Sequence, residues 1–368
     1  SKNLEAAAVL NALDERPVLF EAVRESAFRV VGNLFGTKQQ FADYFGIEPH
    51  ELIPKIVRAI ENPTMPEETD RAPCQEVVEQ EVDLDRLPIL FHCREDGGNY
   101  VTSGVFITKS GAGIQNVDFH RAMQIGRDRF SVRIVKQRDF DALLNEDRTL
   151  PLAVCVGNAP NVLLAAATSV PLGVNELTIA NSLEPLKVTR PKTFEARIPA
   201  ECEFVLEGVV KLEEREAEGP FVDLTDTYDI VRQEPVFHVT YKRRRKVNPN
   251  DKDVNVTFIE HVRTVARLCM ATEKVLSPEV RSKLPGLVAG FIGDVQTDLS
   301  LSEINKLVCV AQAIPVENIH IVSFPEQLFT GGRIYDPYRE VNTYIDKADY
   351  EVLRAYVAAF MEGSWPEP

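Results

Sequence analysis

Residues 100–110 (YVTSGVFITKS) and 130–137 (FSVRIVKQ) decide the fold. Both stretches are rich in β-branched and aromatic residues with near period-two alternation, which is typical of half-buried strands. Residues 150–157 (LPLAVCVG) have the pattern of a fully buried strand, and residues 161–167 that of a helix packed on it. Three more strands are predicted after Pro191, over residues 194–200, 203–213 and 235–243. Such strand-dominated sequence with few inserted helices favours a closed or half-closed β-barrel.

The sequence on both sides of this region is more helical. Before it, residues 4–30 show helical spacing and lead into a short strand at 28–34, and two more helices are predicted over residues 37–46 and 48–62. The polar, proline-rich stretch 62–73 separates these helices from the strand-rich region. Beyond the polar segment 246–253, helices are predicted over residues 258–276 and 302–313.

These patterns predict a mixed α/β (α+β) chain of three parts. We expect a small α/β N-terminal domain over residues 1–95 and a split β-barrel domain over residues 96–246. An α/β C-terminal segment, largely helical, then covers residues 247–368.

Composition and charge exclude several classes of function. The 368 residues include 56 acidic and 41 basic ones, giving a formal net charge of -15, whereas nucleic acids and anionic membranes bind basic surfaces. No stretch approaches the roughly 18 consecutive apolar residues of a membrane span, and the N-terminal residues are too charged for a signal-peptide core. Six cysteines without a C-x-x-C pair predict neither a disulfide framework nor a zinc site. We therefore expect a cytoplasmic protein without a nucleic-acid partner.

Polar side chains cluster in residues 116–124 (NVDFHRAMQ), between two predicted strands. In a period of two, Asn116 and His120 share one face and Arg121 points to the other. Much farther along the chain, Glu218 stands in a tight Glu-Gly-Pro corner. Asn and Glu supply hard oxygen ligands for Mg²⁺ or Mn²⁺, and Arg grips phosphates and carboxylates through paired hydrogen bonds. A purely structural role is the alternative, because Asn is common in turns.

Several long motifs extend this pattern over residues 1–240. They are VLFEAV (18–23), VVGNLFGTKQQFADYFG (30–46), GVFITK (104–109), NVDFHRAMQIGRDRFSVRI (116–134), PLAVCVGNAPNVLLAAATSVPLGVNELTIANSL (151–183), IPAECEFVLEG (198–208) and EGPF (218–221). In order and approximate spacing they resemble the UbiD family. The resemblance implies an α/β N-terminal domain, a split β-barrel that binds prenylated flavin, and an α/β C-terminal domain. It also implies reversible, non-oxidative decarboxylation of an aromatic or α,β-unsaturated acid.

Position by position, the resemblance implies roles for five residues. Asn116 and Glu218 match the family's metal ligands, and Arg121 matches the catalytic arginine that contacts the substrate carboxylate. Met123 and Gln124 are implied as cofactor-binding residues together with these three. The implied cofactors are prenylated FMN, Mn²⁺ (or Mg²⁺) and K⁺. The implied partners are a small-molecule carboxylic acid and a flavin prenyltransferase that supplies the cofactor, and a homo-oligomer is possible.

The chain also departs from the family pattern. Val222 and Asp226 occupy positions where the family has glycine near the cofactor. Residues 137–139 (QRD) stand where the family has a histidine ligand, and Arg does not ligate a divalent cation. No counterpart of the family's proton-donating Glu follows Thr240. The sequence therefore predicts two of three metal ligands and no general acid.

The last third has a second resemblance. Residues 277–308 and 317–325 are similar to the C-terminal part of LytR-CpsA-Psr proteins, which transfer glycopolymers from polyprenyl-pyrophosphate carriers. The stretch YKRRRK (241–246) falls at that family's basic strand, although its catalytic half has no counterpart here. The basic run 242–246 has two interpretations: a receptor for pyrophosphate or a nucleic-acid backbone, or a solvated strand end.

Three functions are compatible with these observations. The first is a UbiD-like carboxy-lyase, for which Asn116, Arg121 and Glu218 speak. The second is a flavin- or phosphate-binding relative without turnover. The third is a LytR-CpsA-Psr-like transferase or polyprenyl-phosphate binder, favoured only by the C-terminal part. A bound yellow chromophore separates the first two from the third, and turnover of an unsaturated acid separates the first from the second.

Overall fold

A computed structural model describes residues 1–13, 16–35, 37–79, 81–136, 138–168, 170–222, 228–246 and 257–260. The α-helices in these ranges are α1 (Glu5–Ala12), α2 (Lys38–Phe45), α3 (Leu52–Glu61), α4 (Asp139–Asp147), α5 (Pro160–Ala166) and α6 (Glu176–Leu183). The strands are β1 (Val18–Phe20), β2 (Arg29–Gly32), β3 (Glu67–Glu68), β4 (Val77–Glu79), β5 (Tyr100–Val101), β6 (Val105–Lys109), β7 (Gln115–Phe119), β8 (Arg121–Gln124), β9 (Arg129–Arg133), β10 (Thr149–Val156), β11 (Lys187–Thr189), β12 (Ile198–Pro199), β13 (Phe204–Glu218), β14 (Phe221–Val222), β15 (Tyr228–Asp229), β16 (Arg232–Arg244) and β17 (Thr257–Glu260). The mixed α/β class predicted from the sequence is confirmed.

Helices α2 and α3 form where the sequence predicts them. Thr37 and Gln40 make a reciprocal capping box at the start of α2, and Gly46 ends that helix with a φ of 62°. In α3, Leu52, Ile56 and Ala59 are buried at helical spacing. These local signals are strong because a helix satisfies its backbone within a few residues of the chain.

One predicted helix begins as a strand instead. Residues 258–276 are predicted helical, yet Thr257–Glu260 form β17 and pair in parallel with β2. The segment TFIE contains β-branched and aromatic residues, which suit a strand once an unpaired edge is available. The prediction is therefore wrong for the first three residues of that helix, and the rest of it lies outside the described residues.

The strand order of the main sheet, β5-β8-β9-β16-β13-β10-β6-β7, forces it to curl. β8 stands second and β7 last in this order of eight, yet only His120 separates them along the chain. Six spacings of about 4.8 Å would put these strands roughly 29 Å apart in a flat sheet, whereas two Cα–Cα steps span about 7 Å. The two ends of the sheet must therefore meet near His120, as a half-closed barrel requires.

His120 is anchored on both sides of this meeting point. Its ring makes edge contacts with Phe106 of β6 and Phe140 of α4, at centroid distances of 5.3 and 4.9 Å. Its Nδ1 lies 3.1 Å from the carbonyl oxygen of Arg133, and its Nε2 lies 3.0 Å from a carboxylate oxygen of Asp118. These contacts fix the ring, although Nε2 makes no hydrogen bond of good geometry within the described residues.

The core lies inside the curl and under the helices. β10 is central and almost fully buried, and every residue of α5 is buried against the sheet layer, as the sequence predicts. The main cluster of buried apolar side chains includes Phe106, Phe130, Phe140, Leu152, Val154, Phe204, Leu206 and Phe237. Burial of this apolar surface is the main favourable contribution to the fold.

The basic run is not a solvated strand end, so that interpretation is wrong. Lys242 and Arg243 are 1% and 0% exposed. Lys242 lies 2.8 Å from Glu79 of β4, and Arg243 lies 2.9 Å from Glu207 of β13. These cations are buried because β16 is an interior strand with neighbours on both sides, and each buried charge then requires a partner. Arg244 and Arg245 also pair, with Glu79 and Glu201 respectively.

The predictions for the C-terminal third fall mostly outside the described residues. The chain divides into two compact units, Ser1–Val222 with Ile230–Cys269 and Asp223–Asp229 with Met270–Pro368. The predicted helix 302–313 and the stretches that resemble LytR-CpsA-Psr proteins lie outside the described ranges. The boundaries at residues 95 and 246 stay predictions. Across the described ranges, no helix has the length and apolar character needed to cross a membrane.

Candidate functional site

Three strands and one corner position the site. Asn116 lies within β7, Arg121 opens β8, and Glu218 ends β13. Glu218 is followed by Gly219, whose φ of 96° is the left-handed conformation that favours glycine, and then by Pro220. A Cβ at position 219 would also lie 2.9 Å from the carbonyl oxygen of Ile230. The Glu-Gly-Pro motif therefore builds a tight corner that turns the chain immediately after the carboxylate.

Arg121 and Glu218 form a bidentate ion pair. Arg121 Nε donates to Glu218 Oε1 at 2.8 Å, and Arg121 Nη2 donates to Oε2 at 3.0 Å. The side chain of Glu218 is fully buried and that of Arg121 is 13% exposed. Buried carboxylates need such a partner, because desolvation of an unpaired charge costs several kcal/mol. The sequence singled out both residues, and the structure brings them together.

Tyr100 adds a third contact to the Arg121–Glu218 ion pair. Its hydroxyl donates to Glu218 Oε1 at 3.1 Å, and its ring lies 4.6 Å from the ring of Phe221. The guanidinium of Arg121 stands over the same Phe221 ring at 4.5 Å. Burial, followed by the charge of Glu218, raises the pKa of Tyr100 far above its ordinary value, so this hydroxyl stays protonated and donates. Sequence reasoning missed Tyr100, since nothing in its strand pattern connects it with a residue more than 100 positions away.

Asn116 is buried but is not joined to this pair. It is 4% exposed, and its Nδ2 has no hydrogen-bond partner within the described residues. An unpaired buried amide of this kind is costly and marks a position where a ligand can supply the missing partner. Among the described residues, Asn116 makes no hydrogen bond with Arg121 or Glu218.

The two other predicted cofactor-binding residues point in different directions. Met123 is 6% exposed and packs in one cluster with Tyr100 and Phe221, next to the Arg121–Glu218 pair. Gln124 lies on the opposite face of β8, where its amide donates to Asp85 Oδ1 at 2.8 Å and to the carbonyl of Gly126 at 3.2 Å. Met123 therefore packs beside the Arg121–Glu218 pair, and the cofactor-binding roles of Met123 and Gln124 both stay predictions.

A divalent-metal site is incomplete in the described part of the chain. There, no group of three or more His, Cys, Asp or Glu side chains is arranged to hold a metal ion. Both oxygens of Glu218 already face Arg121. Of the residues at the family's histidine position, Gln137 lies outside the described ranges, and Asp139 begins α4. Asp226 is likewise outside them, whereas Val222 belongs to β14.

A second ion pair lies beside the first. Arg133 stands opposite Arg121 in the β8–β9 register, and its Nη1 donates to Glu234 Oε1 at 2.9 Å. Glu234 is 5% exposed, and burial, with a contribution from Glu218, raises its pKa. Like charges opposite one another on a sheet repel, so each arginine here requires its own carboxylate. No sequence motif identifies Arg133 and Glu234 as partners in an ion pair.

Three acidic residues lie on or near β7. Asp118 belongs to that strand, Asp139 begins α4, and Glu176 begins α6. Glu176 is 4% exposed, and its Oε2 accepts the backbone N–H of Val117 at 3.0 Å. Burial, and then the charges of Asp118 and Asp139, raise the pKa of Glu176 well above its ordinary value.

Glu176→Gln should flatten the pH dependence of stability. Because the folded-state pKa is raised, the protonated carboxyl of Glu176 stabilises the fold below the ordinary value of 4.5, and this contribution is lost as pH rises through the folded-state pKa. We expect the free energy of unfolding to fall less between about pH 5 and about pH 8 in this variant than in the wild type. Urea titrations at both pH values measure the difference.

The control for this experiment is Glu195→Gln, because the Glu195 side chain is 77% exposed. Its pH dependence should match that of the wild type. Equal pH dependence in Glu176→Gln and the wild type would contradict the assigned protonation of Glu176.

Comparisons with known proteins identify the family of the chain. The model for the 3-octaprenyl-4-hydroxybenzoate carboxy-lyase N-terminal domain matches residues 1–60, and that for the Rift-related domain of the same UbiD carboxy-lyases matches residues 66–250. The anhydromevalonate phosphate decarboxylase of Methanothermobacter thermautotrophicus is 36% identical over 258 residues. That alignment covers 67% of this chain and 59% of the relative, so the chain spans about six-tenths of the relative's length.

Solved structures show the same likeness. An evolved dimeric form of the UbiD-class enzyme HmfF from Pelotomaculum thermopropionicum, in complex with prFMN, is 30% identical with a TM-score of 0.70. The match covers 77% of this chain and 68% of that one. The HmfF complex with FMN matches with the same identity and TM-score over 77% of this chain and 65% of that one. From its N-terminal helices through the curled sheet, this chain belongs to the UbiD family.

Proposed function

We propose that the chain catalyses reversible, non-oxidative decarboxylation of a small carboxylic acid with prenylated flavin mononucleotide. The observation that carries this proposal is the buried Arg121–Glu218 pair, at positions that match the family's catalytic arginine and acidic ligand. Membership of the UbiD family, and solved relatives in complex with prFMN and FMN, support it.

The residues around the pair suit a planar, anionic cofactor. Tyr100, Phe221 and Met123 form a buried aromatic and apolar cluster beside Arg121. Arg121 supplies a cation, and the unpaired Nδ2 of Asn116 supplies a buried donor. A flavin with its phosphate would satisfy both charge and hydrogen bonding here.

The described residues do not form a complete site for Mn²⁺, Mg²⁺ or K⁺. Asn116 and Glu218 stay the predicted ligands of a divalent cation, but Glu218 is engaged by Arg121. We assign no step to a metal ion for this reason.

The chain's own residues can orient and hold a substrate acid. Bound prenylated flavin supplies an electron sink for the carbanion that decarboxylation leaves. Glu218 orients the Arg121 guanidinium through Nε and Nη2, and a guanidinium has five N–H donors, so Arg121 can contact a substrate carboxylate while this pair stays formed. Tyr100 also donates to Glu218, so the buried carboxylate has a second partner. Positioning of the leaving carboxylate is the main contribution that Arg121 makes to the rate.

The substrate class has two candidates. The family resemblance indicates an aromatic or α,β-unsaturated acid. The relative named anhydromevalonate phosphate decarboxylase adds a phosphorylated acid. A flavin prenyltransferase as supplier of the cofactor and a homodimer, as in the dimeric form of HmfF, belong to the same proposal.

Glu218→Ala should abolish retention of the flavin. The variant removes the carboxylate and leaves Arg121 without its partner, so the site loses its arrangement. The measurement is the absorbance spectrum and metal content of protein co-expressed with a flavin prenyltransferase. The wild type should show a flavin band, and so should Glu216→Ala, a control at an exposed position of the same strand. Equal flavin loading in Glu218→Ala and the wild type would refute the site.

Arg121→Met should lower kcat/KM for the substrate acid roughly a hundredfold or more, because a charge-assisted bidentate contact with the carboxylate is lost. Release of CO₂ from anhydromevalonate phosphate and from aromatic acids measures turnover. Arg129→Met is the matched control, since the Arg129 side chain is 37% exposed and lies beside Asp128.

The outcomes separate the candidate functions. Wild-type protein that binds flavin but releases no CO₂ from any acid would favour the flavin-binding relative without turnover, as the lack of a proton-donating Glu motif after Thr240 suggests. Wild-type rates in Arg121→Met would exclude Arg121 as the carboxylate-binding residue.

A further inference from the structure

The turn formed by residues 93–98 lies against the corner that carries Glu218. The backbone N–H of Gly97 donates to the carbonyl of Pro220 at 2.7 Å. Asp96 Oδ1 accepts the backbone N–H of Val222 at 2.9 Å, and Asp96 Oδ2 accepts the backbone N–H of Cys93 at 3.0 Å. The Asp96 carboxylate therefore joins the 93–98 turn to Val222, which follows the corner.

The burial of Asp96 makes these two contacts strong. The residue is 7% exposed, and each of its oxygens accepts a separate backbone N–H. Hydrogen bonds to an ionised acceptor are about twice as strong as neutral ones, and a buried carboxylate depends on them. A carboxamide has only one oxygen and can replace one of the two bonds.

The fit between turn and corner leaves no room for a side chain at Gly97. A Cβ there would fall on the carbonyl oxygen of Gly219 and lie 3.1 Å from the sulfur of Met123. Tyr100, three residues further on, donates to Glu218 itself. The segment 96–100 thus contacts the corner at three points. Tyr100 bonds Glu218, Gly97 bonds Pro220 and Asp96 bonds Val222.

We propose that Asp96 is a positioning residue for Glu218. By fixing the backbone of residues 219–222, it holds the Glu218 carboxylate where Arg121 and Tyr100 both reach it. The effect on flavin affinity rests on the proposed function, whereas the restraint of the corner is tested independently of it.

The test compares Asp96→Ala and Asp96→Asn with the control Asp147→Ala in the full chain. Asp147 also accepts a backbone N–H, from Gly111 at 2.7 Å, but in an exposed turn. Hydrogen exchange followed by mass spectrometry reports on peptides that cover residues 216–222. Quenching of FMN fluorescence gives the dissociation constant for free FMN.

In Asp96→Ala we expect exchange in residues 219–222 to rise and FMN to bind roughly tenfold more weakly. Asp96→Asn should lie between this variant and the wild type, because it keeps one acceptor. Asp147→Ala should change neither quantity. Should Asp96→Ala fail to fold, Asp96→Asn carries the same test with a smaller expected effect.

Each contrary result is decisive in a different way. Unchanged exchange in the Asp96 variants would overturn the claim that Asp96 holds the corner. Faster exchange with wild-type affinity for FMN would overturn the claim that the corner positions Glu218 for the cofactor. Wild-type protein that binds no FMN would overturn the proposed function, while the exchange data would still decide whether Asp96 restrains the corner.

Discussion

A single covalent link sets the architecture on which the site depends. His120 alone joins β7 to β8, although β8 stands second and β7 last in the strand order of eight, so the sheet must curl until its ends meet. The same curl allows Arg121 of β8 to reach Glu218 of β13 at 2.8 Å, across the two intervening strands β9 and β16. In a flat sheet, β8 and β13 would stand three strand spacings, or roughly 14 Å, apart.

Closure of the sheet creates an interior that has to accommodate charge. Glu218 is fully buried there, and it is stabilised by Arg121, by Tyr100 and by a corner whose backbone is tied to Asp96. The pair that stabilises the buried carboxylate also orients Arg121, the cation that we propose contacts a substrate acid. The same guanidinium therefore serves both the fold and the proposed binding of a substrate acid.

Local features were predictable from the sequence, and contacts between distant segments were not. The helix over residues 37–46 and the buried strand β10 were predicted from local patterns, and Arg121 and Glu218 were singled out as candidate site residues from short motifs. The roles of Tyr100 and Asp96, the burial of Arg243 and the strand at Thr257 depend on partners far along the chain. A pattern of alternating residues shows that a strand forms, but it does not reveal which carboxylate faces which cation once the sheet has curled.

The coupling between Arg121 and Glu218 tests most directly whether the curled sheet builds the site. A double-mutant cycle with Arg121→Met, Glu218→Gln and the double variant, measured by urea unfolding without cofactor, gives the interaction energy. We predict a coupling free energy above roughly 1 kcal/mol, as expected for residues in direct contact. Additivity of the two substitutions within about 0.5 kcal/mol would contradict this pairing, because residues that do not touch behave in that way.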